Sequence, residues 1–473
     1  MPLKPTLKRF FAFAVFIVLA SLDNAAAGVL PPLYAIIARD LQASDAALGS
    51  VTAVYILIVA VAAVLWGYRG DQKSRKPLLF WGTLVWVSAM LLTTLAKTFP
   101  VFLLFQMVTA VGVGGISSLG FSVVSDLVPA HRRGLALSLW SVSQGIGASL
   151  GALLAGTVGA FDWRYPFWII AGLGLLFAVL FLFTREPLRG QAEPELQPVF
   201  AQGKTYDFRI SRADIALLLR LASNRWLLLQ SFFYALAYGS TVWIPRWAVA
   251  RVQAEGYSLE TATIVGNLII AVLSLGGFTA VLSGHLGDRW QGDGRGRARL
   301  AVVGLLVSAP LYAWLYFIPF RNLALPEAGS FWQLATAVLH AFLTNGWVIL
   351  AFVVAFTAVT FQSVDPPNWA ALITDVNLPE HRGTIIGISR LFRAVGNAIS
   401  VWLAGWLFAS LTAHLPEPEN YAVGLSIFQI FVLPALLCYL VLQKYVAGDR
   451  QSITQQLARR AQLSDDPFTQ SQL

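Results

Sequence analysis

The chain has 473 residues, of which 57% are hydrophobic and 12% are charged, and its net charge is +9. Soluble domains carry about a quarter of their residues as charged ones, so this composition indicates a polytopic membrane protein and excludes a large soluble domain. The single cysteine, Cys438, excludes a disulfide within the chain and any metal site built from several cysteines.

Apolar segments of about 20 residues, the length that crosses a bilayer, recur from one end of the chain to the other. We predict an all-α integral membrane protein with twelve transmembrane helices in two six-helix, pseudo-symmetric bundles. The predicted helices cover residues 10–38, 46–67, 77–96, 99–126, 132–160, 163–184, 226–250, 260–284, 298–319, 343–375, 382–411 and 421–443.

This layout divides the chain into four regions. We predict an N-terminal bundle at 1–185, a cytoplasmic linker with an amphipathic surface helix at 186–225, a C-terminal bundle at 226–445 and a cytoplasmic tail at 446–473. The linker is polar and proline-containing, which is typical of a connection between domains. The tail is polar and without a pattern, so we expect part of it to lack fixed structure.

Lysine and arginine residues are distributed unequally between the two sides of the predicted membrane layout. Loops on the side of the chain termini carry 25 of them and loops on the opposite side carry 6. Because short basic loops stay in the cytoplasm, we predict cytoplasmic termini, in the inner cell membrane if the source is prokaryotic. Charges confined to alternate loops also argue against a nucleic acid as the partner.

Two short motifs occur twice, in the same order, about half a chain apart. Gly67-Tyr-Arg-Gly-Asp71 returns as Gly284-His-Leu-Gly-Asp288, and the segment from Asp126 to Arg132 returns as the segment from Asp375 to Arg382. Parallel halves related by repeats are an architecture of secondary transporters, with the substrate site between the halves. The alternative is that these basic loops only anchor the topology. We predict a cytoplasmic gate formed by Gly67, Asp71, Arg75, Asp126, Arg132, Gly284, Asp288, Asp375 and Arg382.

The second half is longer than the first by about 33 residues, and much of the excess falls between Arg321 and Leu343. An odd number of extra spans would put Asp375 on the wrong face of the membrane. We therefore predict an outer surface or re-entrant helix at 331–342. Two short extra spans are the alternative.

Charged and amide side chains within the predicted helices are the most informative ones, because a charge inside a bilayer is costly unless it faces a cavity or a partner. Asp23 and Asn24 lie beyond the middle of the first helix, and Asp365, Arg390 and Arg393 share a depth in the tenth and eleventh. Burial without a basic neighbour disfavours the charged form of Asp23, so we predict that it takes up a proton during the cycle. The alternative for Asp365 is a structural pair with an arginine.

Two further features favour a cavity between the bundles. Pro366-Pro367 must break the tenth helix, which is tolerated at membrane depth only beside a cavity or other protein. Tyr234, Tyr238 and Trp243, with Pro245, predict a kinked aromatic wall in the seventh helix. Ordinary packing and an interfacial aromatic belt are the alternative for these rings.

The repeated motifs, the Pro-x-His-Arg sequences that end at Arg132 and Arg382, and the six-plus-six layout resemble the major facilitator superfamily, which implies its fold. The chain is also similar to the spinster-like branch in four segments, which are Leu22-Asp23, Asp162-Trp163-Arg164, Arg185-Glu-Pro-Leu-Arg-Gly190-Gln-Ala-Glu193 and Trp243-Ile-Pro-Arg246. This resemblance implies export of lysophospholipids or sphingosine 1-phosphate, with proton coupling.

The chain departs from the spinster-like pattern at three places. Asn24 stands where the branch has arginine, and Gln106 and Gly114-Gly115 stand where it has an arginine and a Gly-Glu pair. These departures remove a candidate protonatable glutamate and leave Asp23. We predict proton coupling at Asp23 and Asp365, and substrate binding by Asp23, Asn24, Gln106, Tyr234, Tyr238, Asp365, Asn368, Arg390 and Arg393.

These observations predict a secondary active transporter that works by alternating access on an amphipathic, anionic, lipid-like solute. A transporter of small hydrophilic organic anions, or a multidrug exporter, would use the same fold. A non-transporting membrane receptor or scaffold is the third reading. Five histidines without metal-ligand spacing do not favour an enzyme or a metal site. We expect a monomer that meets membrane lipids, its solute and protons, without a cofactor.

Overall fold

The structure is a computed structural model that describes residues 5–72, 74–127, 133–184, 218–290, 295–326, 329–377 and 382–464. Every regular element in these residues is helical. Residues 186–217 of the predicted linker, which include the first half of its amphipathic helix, lie outside the described residues.

Ten described segments are long and apolar enough to cross a membrane, and two further helices, of 29 and 25 residues, stand fourth and fifth in chain order. We number these twelve segments span 1 to span 12. Their helices are Pro5–Gly28 with Tyr34–Asp40, Asp45–Gln72, Arg75–Thr93, Phe99–Leu127, Arg133–Thr157, Arg164–Leu182, Ala222–Tyr238 with Ile244–Gln253, Leu259–Leu273 with Ala280–Arg289, Arg295–Phe317, Gly346–Gln362 with Asp365–Asp375, Arg382–Leu411, and Glu419–Phe428 with Val432–Leu442.

Several spans are broken where the sequence disfavours a continuous helix. Span 10 stops at Gln362 and restarts at Asp365, directly before Pro366-Pro367, so the predicted break is confirmed. Span 7 passes through a 3₁₀ turn at Gly239–Trp243 before Pro245, which confirms the predicted kink. These breaks place residues that carry polar side chains at the ends of short half-helices.

The two bundles repeat the same contacts. In the first, Gly70 of span 2 stands so close to span 4 that a Cβ atom there would lie 2.0 Å from Leu119 Cδ2. In the second, a Cβ atom at Gly287 of span 8 would lie 2.0 Å from Asn368 Oδ1 of span 10. The second glycine of each repeated motif therefore permits the same close approach between matching spans.

Since the described helices form twelve spans, span 1 begins and span 12 ends on the same face. We call this the proximal face and the opposite one the distal face. The bundles meet through span 2 against span 11 and span 5 against span 8, and it is the distal helix of span 8, Leu259–Leu273, that packs on Arg133–Thr157. The interface between the bundles is thus closed toward the distal face.

The predicted helix in the insertion is confirmed as Phe331–Thr344, which begins with a capping box between Ser330 and Gln333. It packs against spans 8 and 10 on the distal side. Its apolar side chains face both ways, since Leu334, Val338 and Ala341 are buried and Trp332, Leu339 and Leu343 are exposed. One face therefore packs on the protein, and the other is suited to lipid.

In the tail, Val446–Ser464 is a helix, and the residues after it lie outside the described part of the chain, so the expected lack of fixed structure in part of the tail stays a prediction. Asp449 accepts a hydrogen bond from the backbone N–H of Ser223 at 3.0 Å, and Arg450 Nε lies 4.0 Å from Asp375 Oδ2. Contacts with residues far away in the sequence fix this helix, and the local pattern that guided the expectation does not contain them.

Candidate functional site

Asp365, the first residue of the second half-helix of span 10, is fully buried. Its Oδ1 atom accepts hydrogen bonds from Tyr439 Oη of span 12 at 2.6 Å and from Gln230 Nε2 of span 7 at 3.0 Å, while its Oδ2 atom has no partner. No cationic group lies within ion-pair distance of it in the described part of the chain. The alternative of a direct pair between Asp365 and an arginine is therefore wrong for this structure.

Arg393 of span 11 lies between two aromatic rings. Its Cζ atom is 5.4 Å from the ring centroid of Trp369 and 5.7 Å from that of Tyr234. These are cation–π distances, which stabilise a guanidinium without neutralising its charge. Arg393 is half-buried, whereas Arg390, one turn earlier on the same helix, is exposed.

Three tyrosines of the second bundle extend the polar surface that begins at Arg393. The rings of Tyr234 and Tyr238 lie 4.8 Å apart, and the hydroxyl of Tyr238 bonds to that of Ser308 at 2.7 Å. Tyr312 Oη donates to Gln362 Oε1 at 2.5 Å, at the break in span 10. The structure therefore brings together Asp365, Arg393 and the predicted aromatic residues Tyr234 and Tyr238.

Asn368 lies one turn after Asp365 and is also buried, but its amide donates to the carbonyl of Val364 in its own span. Its oxygen faces Gly287 of span 8. This places Asn368 in the contact between spans 8 and 10. Its predicted role in substrate binding stays a prediction.

The remaining predicted substrate residues lie in the first bundle. Asp23 is 1% exposed, and its Oδ1 atom has no hydrogen-bond partner; the hydroxyl of Tyr55, within electrostatic reach, is likewise buried without a partner. Asn24 donates to Ala20 O in its own helix, and Gln106 donates to Thr93 Oγ1 of span 3 at 3.3 Å. These three side chains are separate from the group around Asp365.

The distal closure contains a polar cluster that joins the bundles, which we call the distal cluster and define as Asp45, Arg246, Glu417 and Tyr421. Arg246 Nε lies 3.7 Å from Asp45 Oδ1 of the first bundle, and Arg246 Nη2 lies 2.9 Å from Glu417 Oε1. Tyr421 Oη donates to Asp45 Oδ2 at 2.6 Å. The side chains of Asp45 and Arg246 are each 12% exposed, so this contact is largely protected from water.

On the proximal side, Asp375 is bound within its own bundle, since Arg297 Nη1 lies 2.8 Å from its Oδ2 atom. Arg75 is buried at the start of span 3, Gly67 is partly exposed, and Gly284 faces Pro367. The neighbouring Lys76 donates to the carbonyls of Leu182 and Thr184 and so caps the end of span 6. Side chains of four other predicted gate residues, Asp71, Asp126, Asp288 and Arg382, and all of Arg132, lie outside the described residues.

The family model described as Major Facilitator Superfamily matches residues 12–334, about two thirds of the chain. The chain belongs to the major facilitator superfamily. This major facilitator transporter is similar to Protein spinster of Drosophila melanogaster, with 25% identity over 395 residues that cover 80% of this chain and 58% of that protein. It is also 32% identical to Multidrug resistance protein MdtL of Salmonella heidelberg over 191 residues, which cover 38% of this chain and 47% of that one. The transporter thus spans about half the length of these two curated relatives.

A solved structure agrees with the fold. The crystal structure of a bacterial homologue of the human lysosomal transporter spinster, inward-facing and unoccupied, matches this transporter with a TM-score of 0.71 and 20% identity, covering 95% of this chain and 99% of that one. The predicted fold of twelve helices in two bundles, and the resemblance to the spinster-like branch, are confirmed.

Sequence reasoning missed the partners of Asp365. Gln230 and Tyr439 lie 135 and 74 residues away from it and carry no charge. A glutamine within an apolar segment was the available signal for Gln230, because burying an amide is costly without a partner. Tyr439 gave no signal, since tyrosine is common in membrane helices.

Proposed function

We propose that the chain is a secondary active transporter that works by alternating access and moves an amphipathic anionic solute, such as a lysophospholipid, together with protons. The observation that carries this proposal is Arg393, a guanidinium that lies between Tyr234 and Trp369 without an ion-pair partner among the described residues.

The charge of the site supports an anion. Arg390 and Arg393 lie on one face of span 11, and Arg390 is exposed on the helix surface. A cation is too costly to face lipid hydrocarbon, so the two side chains belong at a water-filled space between the bundles. Guanidinium groups bind phosphate and carboxylate through two parallel hydrogen bonds, which suits a phosphate head group.

The surroundings of Arg393 support an amphipathic solute. The rings of Trp369, Tyr234 and Tyr238 provide apolar surface with polar edges next to the cation. An acyl chain would contact such rings while its head group meets the arginine. The lipid-like body is also the substrate class that the spinster-like resemblance implies.

Alternating access is supported by the contrast between the two faces. The distal cluster ties Asp45 of the first bundle to Arg246 and Tyr421 of the second. On the proximal side, the described ion pair of Asp375 stays within one bundle. With the proximal face assigned to the cytoplasm from the distribution of basic residues, this is the arrangement of a transporter open to the cytoplasm.

Proton coupling is supported by two buried carboxyl groups. Asp23 Oδ1 and Asp365 Oδ2 each lack a hydrogen-bond partner, and an ionised carboxylate without partners is costly to bury. A proton on Asp365 would also remove a negative charge close to Arg393 and so favour an anion there.

Solute flux into proteoliposomes tests the proposal. Lysophosphatidylglycerol carries one fixed negative charge, and monoacylglycerol of the same chain length is its neutral control in binding. We expect saturable lysophosphatidylglycerol flux that increases with an imposed pH gradient, and binding that discriminates against the neutral lipid. Binding that does not depend on the charge of the lipid, together with flux that does not depend on the pH gradient, would contradict the proposal.

A transporter of small organic anions or drugs is the second candidate, favoured by the similarity to the multidrug resistance protein over 191 residues. Glycerophosphoglycerol, the head group without its acyl chain, separates the two. It should compete weakly with lysophosphatidylglycerol if the acyl chain is recognised, and equally well if the solute is hydrophilic. A receptor or scaffold would bind lipid without flux.

A further inference from the structure

Two buried oxygen atoms at one contact in the second bundle have no hydrogen-bond partner. Gln230 Nε2 donates to Asp365 Oδ1 at 3.0 Å, yet Gln230 Oε1 and Asp365 Oδ2 are both without a partner. The two residues are 1% and 0% exposed. A buried unpaired polar atom costs about 1–3 kcal/mol, so a donor shared by these two atoms would stabilise the contact.

The chemistry of the two atoms indicates which donor fits between them. Both are acceptors, so they cannot bond to each other while Asp365 is ionised. Gln230 Oε1 is bonded to the same carbon as Nε2, and Asp365 Oδ2 to the same carbon as Oδ1, so both lie next to the existing hydrogen bond. The terminal torsions of both side chains are broad, so rotation about them can align the two groups side by side. One proton on Oδ2 then becomes a donor to Oε1. The carboxyl group and the amide would form two hydrogen bonds side by side, and both unpaired atoms would be satisfied.

We propose that Asp365 carries a proton on Oδ2, that Gln230 Oε1 accepts it, and that Gln230 thereby sets the affinity of the site for protons. Gln230 is a positioning residue, because it acts through Asp365. The inference rests on the proposed function only in its use of this proton for transport.

None of the other described polar groups around Asp365 forms a hydrogen bond to Oδ2, so this atom can carry the proton. Tyr439 Oη donates to Oδ1, and Arg393 and Tyr234 lie within electrostatic reach of the carboxyl group. Helix Arg295–Phe317 also packs on this half-helix, but its Tyr312 donates to Gln362 and its Arg297 pairs with Asp375 at the far end.

Helix Ala280–Arg289 packs on the same half-helix from span 8. It carries His285 and Arg289, both of which are exposed, and Asp288, whose side chain lies outside the described residues. Among the described groups, Arg393 is therefore the charged side chain that acts on Asp365.

Two substitutions should move proton binding in opposite directions. In Gln230→Met, the charged form loses the donor Nε2 and the protonated form loses the acceptor Oε1. We propose that the second loss is the larger, so the midpoint should fall by about one pH unit, a tenfold loss of proton affinity, whereas a glutamine that only donates to Oδ1 would leave a raised midpoint when it is removed. In Tyr439→Phe, the charged form loses the stronger hydrogen bond, so the midpoint should rise by a similar amount. Gln429→Met is the matched control, because Gln429 is a buried glutamine of the same bundle with no bond to a carboxylate.

Infrared difference spectra of the purified protein, titrated with acid, measure these midpoints from the band of the protonated carboxyl group. The band should be absent in Asp365→Asn and should change frequency in Gln230→Met. An unchanged or raised midpoint in folded Gln230→Met would refute the role of Gln230 as the acceptor of this proton. Loss of the wild-type band on adding Na⁺ at constant pH would show instead that the two oxygens hold a metal cation.

If Gln230→Met does not fold, the unsubstituted protein still gives an answer. In protein labelled with ¹³C-glutamine, a side-chain amide band should shift at the midpoint of the carboxyl band, and no such shift would contradict the proposal. The spectra require no transported solute. Absent flux with these spectral changes would therefore reject the proposed function alone, and intact coupled flux without them would reject this inference alone.

Discussion

Asp23 and Asp365 are buried carboxyl groups in the first and second bundle, and their surroundings differ. Asp365 is bound by Gln230 and Tyr439 and lies near Arg393, whereas Asp23 has no hydrogen bond to a described side chain. The first arrangement fixes one carboxyl oxygen and leaves the other for a proton. The second fixes neither, so the ionisation of Asp23 depends on what approaches it when the bundles move.

We infer from this difference that the two carboxyl groups have different roles in transport. Protonation of Asp365 changes the charge beside Arg393 and should therefore be linked to binding of the anionic solute. Asp23 is remote from that group, and its protonation should be linked to the change between the two open states. Substitutions that remove one group at a time test this difference.

The largest effect is expected for Arg393→Gln, which removes the cation of the proposed solute site. Hydrogen bonds to charged groups contribute about 1.5–3 kcal/mol, so affinity for lysophosphatidylglycerol should fall roughly 10- to 100-fold, with part of it kept in Arg393→Lys. Arg390→Gln should lose less, since Arg390 does not contact the aromatic rings. If both glutamine variants fold and bind lysophosphatidylglycerol as the parent does, the two arginines do not bind its head group. A structural role would instead reduce thermal stability without changing the preference for anions.

A second substitution, Asp23→Asn, tests the other carboxyl group. A gradient of one pH unit can support about tenfold accumulation of a solute that moves with one proton, and this accumulation should disappear in the variant. Binding of lysophosphatidylglycerol at equilibrium should change little, because Asp23 lies outside the site. Glu419→Gln, which removes an acid outside the proposed solute, proton and gate residues, serves as the control in the same flux assay. If transport by Asp23→Asn keeps the pH dependence of the parent, Asp23 is not a coupling group.

Asp45→Asn weakens the distal cluster while keeping an acceptor for Tyr421. Arg246 keeps Glu417 as a partner, so loss of its attraction to Asp45 is worth about 1 kcal/mol and should shift the populations roughly fivefold toward distal opening. Distances between labels at Lys97→Cys and Ala254→Cys, both exposed on the distal side, would report the shift. Glu419→Gln is the matched control, because the pair of Glu419 and Arg251 lies within one bundle. Equal distances in Asp45→Asn and in this control would contradict a closing role for the cluster.

The smallest effect is expected for Asp71→Asn at the repeated proximal motif. We predict that Asp71 and its counterpart Asp288 hold neighbouring helix ends when the cavity faces away from the cytoplasm. Turnover should then slow about two- to threefold, with folding and solute affinity nearly intact, because a ~0.5 kcal/mol change in one state alters the population only modestly. Asp288→Asn should behave alike. Unchanged turnover in a well-folded Asp71→Asn protein would contradict the role of Asp71 in the cytoplasmic gate.

The fold followed from the sequence because its signals are local. Apolar length identified the spans, Pro366-Pro367 and Pro245 predicted the breaks, and the repeated glycine motifs indicated two matching bundles. The candidate site followed only in part. The charged residues Asp365 and Arg393 were predicted to lie at the same membrane depth, and the structure brings them together. Depth alone also suggested a direct ion pair, which the described residues do not form.

The partners that decide the chemistry were beyond sequence reasoning. Gln230, Tyr439 and the distal cluster depend on which faces of distant helices meet, and a single sequence does not encode that in any local pattern. The same limit applies to the tail, where contacts at Asp449 and Arg450 stabilise a helix that the polar composition did not indicate.

Proton exchange during solute binding tests the central claim most directly. Lysophosphatidylglycerol has a fixed charge near neutral pH, so adding it to the purified transporter in weakly buffered solution reports protons that the protein itself gains or loses. An anion beside Asp365 favours its protonated form, so we predict uptake of up to about one proton per solute bound. This uptake should persist in Asp23→Asn and vanish in Asp365→Asn. Solute binding that is accompanied by no proton uptake at every pH from 5 to 8 would contradict the account. Proton uptake that persists in Asp365→Asn would also contradict it.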